Sequence, residues 1–378
     1  VSALLVDASS PGLDRDLLDL AATAGCASII VDHGLVERDW AGLGATAVLP
    51  ERFDGADLVA TLERASRPLG SAIAPTTREP EPGTKDDAES RIVSVTGAGG
   101  VGTSTVAMGL AHGLAPRVDG GTVLLADMAL RSTQALLHDA RDVVPGLTEL
   151  IDGHRLGTPN EDEIAATIHA LPERGYHLLL GLRSERDWVS VGARALHAAW
   201  DSLTGAYPMI VVDITGEFDG AEQTGSSDIE DRNRLARTAA HHSDLVLAVG
   251  GPHTWGVNHL VRTVLALVEI GVPPERIVPC VNRGPRPPRA RAEISAAVAE
   301  LLAARVADAR HIPSPVFVAE RRAVEQSLRD GLPLPQNLYE PLVGAVSSLL
   351  EHVSASPTRS LEPVPIAPGS LGTWSDDD

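Results

Sequence analysis

The fold is decided by eleven residues, Val95-Thr96-Gly97-Ala98-Gly99-Gly100-Val101-Gly102-Thr103-Ser104-Thr105. Before them, Ile92–Val95 is an apolar run of strand length. After them, Val106, Leu110 and Leu114 recur at i, i+4 and i+8, and Pro116 follows as a stop. A buried strand is thus predicted to run into a glycine turn that opens a helix. The glycines at 97, 99, 100 and 102 permit backbone conformations closed to other residues and turn N–H groups inward. The helix N-terminus adds roughly half a positive charge from its dipole. A glycine-rich turn alone would be an ordinary loop. Strand, GxxxxG spacing, a Ser-Thr pair and a helix together form a context that cradles phosphate.

Working outward, apolar strands alternate with helical patterns: Ile92–Val95, Val123–Ala126, His177–Leu180, Met209–Val212, Leu245–Val249, Ile277–Val281 and Val316–Val318. That alternation predicts an α/β fold, a doubly wound and mostly parallel sheet of seven or so strands. Leu338, Leu342, Val346, Leu349 and Val353 mark a last amphipathic helix. The expected division is a small α/β unit over residues 1–68, a linker over 69–90 rich in Pro and charge, a main domain over 91–353, and an acidic, disordered tail over 354–378. In the small unit, strands are expected at Leu4–Val6, Ser28–Val31 and Ala47–Leu49, with helices at Arg15–Ala24 and Ala56–Ala65.

Composition narrows the function. The chain of 378 residues carries a formal charge of −20, which argues against direct DNA binding because polyanions repel one another. No apolar run approaches the roughly 20 residues of a membrane span, and Val1–Asp7 lacks the basic start of a secretory signal. Cys26 and Cys280, far apart in apolar runs, read as reduced core thiols. The expected compartment is the cytoplasm. Lys85 is the only lysine, and the stretch has neither an HExxH helix nor a GxSxG elbow. Glu217–Asp231 reads as a solvated acidic insertion.

Gly97–Thr105 resembles the deviant Walker A loop of MinD/ParA ATPases, Gly-Lys-Gly-Gly-x-Gly-Lys-Ser/Thr-Thr, with Ala98 and Thr103 in place of its two lysines. It is most similar to the CpaE/TadZ branch, which often relaxes these lysines and carries a degenerate receiver ahead of the nucleotide domain. The resemblance covers about residues 90–353. It implies that Gly97, Gly99, Gly100, Val101, Gly102, Thr103, Ser104 and Thr105 hold ATP or ADP, with Ser104 on Mg²⁺. Asp127, four residues before Leu130-Arg131 is complete, resembles the switch I aspartate that orients the attacking water, although Leu125 replaces the other Asp of the usual pair. Asp213, ending Ile210–Val212, resembles the Walker B aspartate that holds Mg²⁺ through water. Taken alone, each aspartate simply ends a strand. Asn282 and Arg283 resemble the segment that contacts the base, Asn offering both a donor and an acceptor. Arg283, Arg286, Arg289 and Arg291 form a basic cluster in what reads as a Pro-rich loop.

MinD proteins end in a basic membrane-anchoring helix, but the last helix here carries Glu340 and Glu351 and no Arg or Lys, so no membrane anchor is expected. The resemblance further implies an ATP-dependent homodimer. Its role would be to position or regulate a Tad/Flp-type pilus or secretion apparatus, or the septum, through a protein partner at the cell pole or septum. The alternatives are an active ParA/MinD-type ATPase and a scaffold that binds no nucleotide. In the small unit, Val6-Asp7 and Ser10–Asp14 resemble the phosphoacceptor loop of a truncated response-regulator receiver. Glu51 stands where a receiver has lysine, so phosphorylation of Asp7 is not expected.

Overall fold

A computed structural model describes residues 3–35, 38–65, 90–118, 122–140 and 144–355. The expected linker and tail, and Lys85, lie outside these residues except for Ser90 and the end of the last helix. Among the described residues no helix is long and apolar enough to cross a membrane.

The first unit is a three-stranded parallel sheet, β1 (Ala3–Asp7), β2 (Ala27–Asp32) and β3 (Ala47–Pro50), in that order. Helices α1 (Arg15–Thr23), α2 (Trp40–Leu43) and α3 (Gly55–Ala65) accompany it. Its core is small: Leu13, Leu18, Ile30, Trp40 and Leu43 pack together. Ser9 donates to Asp7 Oδ1 from its N–H (2.8 Å) and its hydroxyl (2.5 Å), and His33 Nε2 lies 2.5 Å from Oδ2. The Ser9 hydroxyl, then His33, hold the Asp7 carboxyl down at about 2. Both oxygens of this aspartate are therefore engaged within the unit.

The main domain begins with β4 (Arg91–Gly97), α4 (Thr103–Leu114), β5 (Val123–Asp127), α5 (Gln134–Leu137), α6 (Leu147–Leu156) and α7 (Glu161–Ala165). A hairpin of β6 (His169–Leu171) and β7 (Tyr176–Leu179) follows, then α8 (Ala193–Ala206) and β8 (Met209–Asp213). Three helices, α9 (Ala221–Thr224), α10 (Ser227–Arg232) and α11 (Arg234–His242), lead to β9 (Leu245–Gly250) and α12 (Thr254–Glu269). The chain ends through β10 (Ile277–Gly284), α13 (Pro288–Ala303), β11 (Val316–Ala319), α14 (Arg322–Arg329) and α15 (Gln336–Ala355). The strands form one eight-stranded sheet in the order β11-β10-β9-β4-β8-β5-β7-β6, parallel except for the β6–β7 pair.

Both faces of this sheet are covered, so its central strands are apolar on both sides. Val93, Val123, Leu125, Val211 and Leu247 face α4 and α15, whereas Ile92, Leu124, Ile210, Val212 and Val246 face α6, α8, α11 and α12. The last helix packs on the domain as expected. A Cβ at Gly109 would lie inside the Tyr339 ring, so glycine lets α15 seat directly on α4.

Three local expectations change. The sheet gains the short strand β6, absent from the sequence reading. Glu217–Asp231 is not a featureless solvated insertion: it forms α9 and most of α10, buries Phe218, and Glu230 accepts a hydrogen bond from the Ala221 N–H at 2.9 Å. Arg289 and Arg291 are not in a loop, because Pro288 opens α13; proline is well suited to a first helical turn. Arg289 pairs with Glu293, and Arg291 lies over the Phe317 ring.

The first unit docks through α1 onto α6 and α8. Arg15 donates to the His154 and Gly157 carbonyls at the end of α6 (2.9 and 3.1 Å). Asp14 pairs with Arg155, Asp19 pairs with Arg194, and Asp16 accepts the Arg194 N–H at 2.9 Å.

Burial holds the His154 imidazole down at about 4, with the Arg15 charge adding to it. A histidine depressed in the folded state binds fewer protons there than when unfolded, so its contribution is lost as pH falls from about 6.5 toward 4. Acidifying from pH 7.5 to 5 is expected to cost about 1–2 kcal/mol through this group. His154→Leu should narrow the difference in thermal midpoint between the two pH values. An unchanged difference would mean that His154 does not titrate with unfolding.

Candidate functional site

The glycine loop leaves β4 between the ends of its two neighbours. A Cβ at Gly97 would lie 2.5 Å from the Val249 carbonyl oxygen of β9. One at Gly216, just past β8, would lie 2.9 Å from the Gly97 carbonyl oxygen. Gly100 and Gly102 adopt φ of +83° and +89°, the left-handed region that favours glycine. The crowding at Gly102 comes from the protein itself, since its Cβ would meet Asn282 Nδ2 at 2.5 Å. At Gly99 and Gly100 a Cβ would meet nothing within 4 Å. The loop is therefore open to its surroundings at Gly99 and Gly100, and Gly102 caps α4 without a side chain.

Val101 packs against the core beneath the loop, and Thr105 lies in the first turn of α4. Thr103, at the position of the second lysine, has its hydroxyl buried without a hydrogen-bond partner. Ser104 accepts a hydrogen bond from the Thr133 hydroxyl at 2.8 Å, and its hydroxyl lowers the Asp213 carboxyl against the effect of burial.

The two strand-end aspartates stand opposite each other, because Asp127 and Asp213 are register partners of β5 and β8. Both are fully buried. Asp127 accepts from the N–H groups of Ala129 (3.2 Å), Thr133 (3.0 Å) and Gln134 (2.9 Å), folding the following turn around itself. Asp213 Oδ2 accepts from Gln134 Nε2 at 2.8 Å, and the same nitrogen donates to the Ser104 carbonyl at 3.1 Å. Gln134 Oε1 remains buried with no partner. Burial pushes both carboxyls above the usual range, and the Asp213 charge raises Asp127 further.

Buried carboxylates with no compensating cation, a hydroxyl and an orphan amide oxygen make an oxygen-only donor set, which suits a hard divalent cation. Among the described residues no group of three His, Cys, Asp or Glu side chains could hold a metal ion. A cation here would complete its shell with water or phosphate, as Mg²⁺ commonly does. The residues fit that ion.

Thus the structure brings Gly97–Thr105, Asp127 and Asp213 to one end of the sheet. Gln134 and Thr133, which join them, escaped the sequence reading. The only signal was a polar pair six and seven residues beyond Asp127, and a helix start explains such a pair equally well. Arg131 is exposed and pairs with Glu185 at 2.9 Å. Glu185 also pairs with Arg232, which reaches Glu217 just beyond β8.

Asn282 sits at the end of β10 with its amide engaged by the protein: Nδ2 donates to the Val101 carbonyl (2.8 Å) and Oδ1 accepts from the Arg283 N–H (2.9 Å). Arg283 has a φ of +54° and, with Arg286, His253 and Asn258, lines a groove of 1250 Å³.

No protein-family model and no curated protein matches this sequence. Among solved structures, similarity extends to a ParA family ATPase from Chlorobium tepidum TLS, at 16% identity over 70% of this chain and 99% of the other, with a TM-score of 0.49. It extends also to the cell division ATPase MinD of Pyrococcus furiosus, at 20% identity over 70% and 98%, with a TM-score of 0.47. The septum site-determining protein MinD of Pyrococcus horikoshii OT3, complexed with Mg-ADP, aligns at 20% identity over 70% and 96%, with a TM-score of 0.48. The fold class rests on the chain's own sheet order and loop: a mostly parallel, doubly wound α/β sheet with a glycine loop between its first strand and first helix.

Proposed function

We propose that this protein is a nucleotide-binding spatial regulator of the MinD/ParA type, with weak or no hydrolysis of its own. The observation that carries the reading is the glycine loop that opens α4 beside Ser104 and the buried strand-end pair Asp127 and Asp213, all at one end of the sheet. Loop N–H groups would hold the phosphates of ATP or ADP. Ser104 and Asp213 would hold Mg²⁺, directly or through water, and the ion would neutralise phosphate charge that no loop lysine meets. Asp127 keeps the turn at 129–134 closed beneath them.

By its resemblance to CpaE/TadZ, the protein dimerises with nucleotide and positions a pilus, secretion or division assembly through a protein partner. The first unit stands as a degenerate receiver ahead of the nucleotide domain. The charge of −20 favours a protein partner over DNA.

Calorimetric titration with Mg·ADP and Mg·ATP, with and without chelator, tests this directly. Gly99→Ala adds a methyl group to open space, so the thermal midpoint should stay within about 1 °C of wild type. Nucleotide affinity should nevertheless fall at least tenfold, because the methyl group would crowd a phosphate held by the loop N–H groups. Absence of binding by the wild-type protein would leave the scaffold reading standing instead.

A further inference from the structure

We infer that Asn282 is a positioning residue for the phosphate loop rather than a reader of the base. The inference rests on the nucleotide-binding reading and assigns Asn282 a part in it. Asn282 belongs to β10, and β9 lies between β10 and the strand that launches the loop. Neighbouring strands are about 4.8 Å apart, so its side chain braces a loop launched from roughly 10 Å away across the sheet.

One N–H and one lone pair of the amide are already committed. Nδ2 gives a proton to the Val101 carbonyl, in the middle of the loop, at 2.8 Å. The same nitrogen lies where a Cβ of Gly102 would have to be. It therefore bounds the loop at Val101 and Gly102. Oδ1 accepts the Arg283 N–H at 2.9 Å, and Arg283 turns into the left-handed region at φ +54°. Regular pairing of β10 with β11 shifts register between Val281 and Gly284, at this same turn. One side chain thus fixes both the loop and the turn that carries Arg283 into the neighbouring groove.

A base using Asn282 would have to reach its remaining N–H and lone pair without disturbing the bonds that hold the phosphate loop in shape. Asn282 is only 9% exposed, so a base has little access to that remaining capacity, and breaking either bond would leave a buried polar group unpaired. Base contacts are left to the groove side, where Arg283 and Asn258 are exposed to the same cavity.

The test separates phosphate from base by using probes that share one and differ in the other. Affinities of wild type and Asn282→Leu are measured for Mg·pyrophosphate, Mg·ADP and Mg·GDP. In parallel, amide exchange of the peptide spanning 97–105 is followed in ligand-free protein below its thermal midpoint. Loss of the brace is expected to weaken all three ligands by a common factor of at least ten. Exchange in 97–105 should quicken at least tenfold while α12 and β8 stay protected. Weaker Mg·ADP with unchanged Mg·pyrophosphate would make Asn282 a base reader and overturn the inference. Unchanged loop exchange would overturn it as well. Should wild type bind none of the probes, the nucleotide reading fails, and the exchange measurement still decides whether Asn282 holds the loop.

Discussion

Replacing Asp213 with Asn will stabilise the ligand-free protein at pH 8 while removing its response to Mg·ADP. In the wild type, two buried carboxyls share a site to which the structure brings no cationic side chain, and burial opposes the charge on each. The amide keeps an acceptor for Gln134 Nε2, which now donates to Asp213 Oδ2 at 2.8 Å, yet carries no charge. Relief of one buried charge is worth about 1–3 kcal/mol, and each kcal/mol moves the midpoint of a domain this size by roughly 2–4 °C. The same change takes a hard anionic oxygen from the cation, so affinity for Mg·ADP should drop about ten- to a hundredfold. Thermal midpoints with and without Mg·ADP give both halves of the result. A destabilised variant that still responds fully to Mg·ADP would place the cation elsewhere.

Turnover by the purified wild-type protein at saturating ATP is expected to be negligible, and Ala98→Lys/Thr103→Lys is expected to raise it. Phosphoryl transfer draws on positioned positive charge in the transition state, and each charged hydrogen bond contributes about 1.5–3 kcal/mol, roughly ten- to a hundredfold in rate. Neither loop position carries a cation: Ala98 is neutral, and the Thr103 hydroxyl is buried without a partner. Arg131 follows Asp127 closely in sequence, but its guanidinium is held by Glu185 at the surface. Asp127 has both oxygens committed to backbone N–H groups, so the residue expected to orient water is occupied with the turn beneath it. Wild-type turnover equal to that of the double variant, and lost on Arg131→Ala, would show that an arginine has taken over from the lysines.

The sheet was readable because strands covered on both faces are continuous apolar runs, as at Val123–Ala126 and Met209–Val212. The three-residue strand β6 has no such run, and its pairing with β7 is a tertiary fact. Pro288 was read as loop because Arg and Pro dominate its surroundings, although proline opens helices well. Within the site, glycine spacing and strand ends gave the loop, Ser104, Asp127 and Asp213. Gln134 was hidden because its partner Asp213 is 79 positions away, and nothing local reveals that approach. Asn282 was visible as a strand-end amide, but its bond to Val101 spans 181 positions and changes what the amide is free to do.

The seam between the first unit and the main domain has a different character from either interior. Each unit is closed by apolar packing, whereas α1 meets α6 and α8 through Arg15 on carbonyl oxygens and through the pairs Asp14–Arg155 and Asp19–Arg194. The paired charges lie 3.3 and 2.8 Å apart, well inside the roughly 8 Å over which physiological salt screens charge. Water excluded from oil holds each body together, and Coulomb attraction holds one body to the other. Removing a charge at Asp14 or Asp19 should therefore loosen the seat of the first unit while both interiors stay packed.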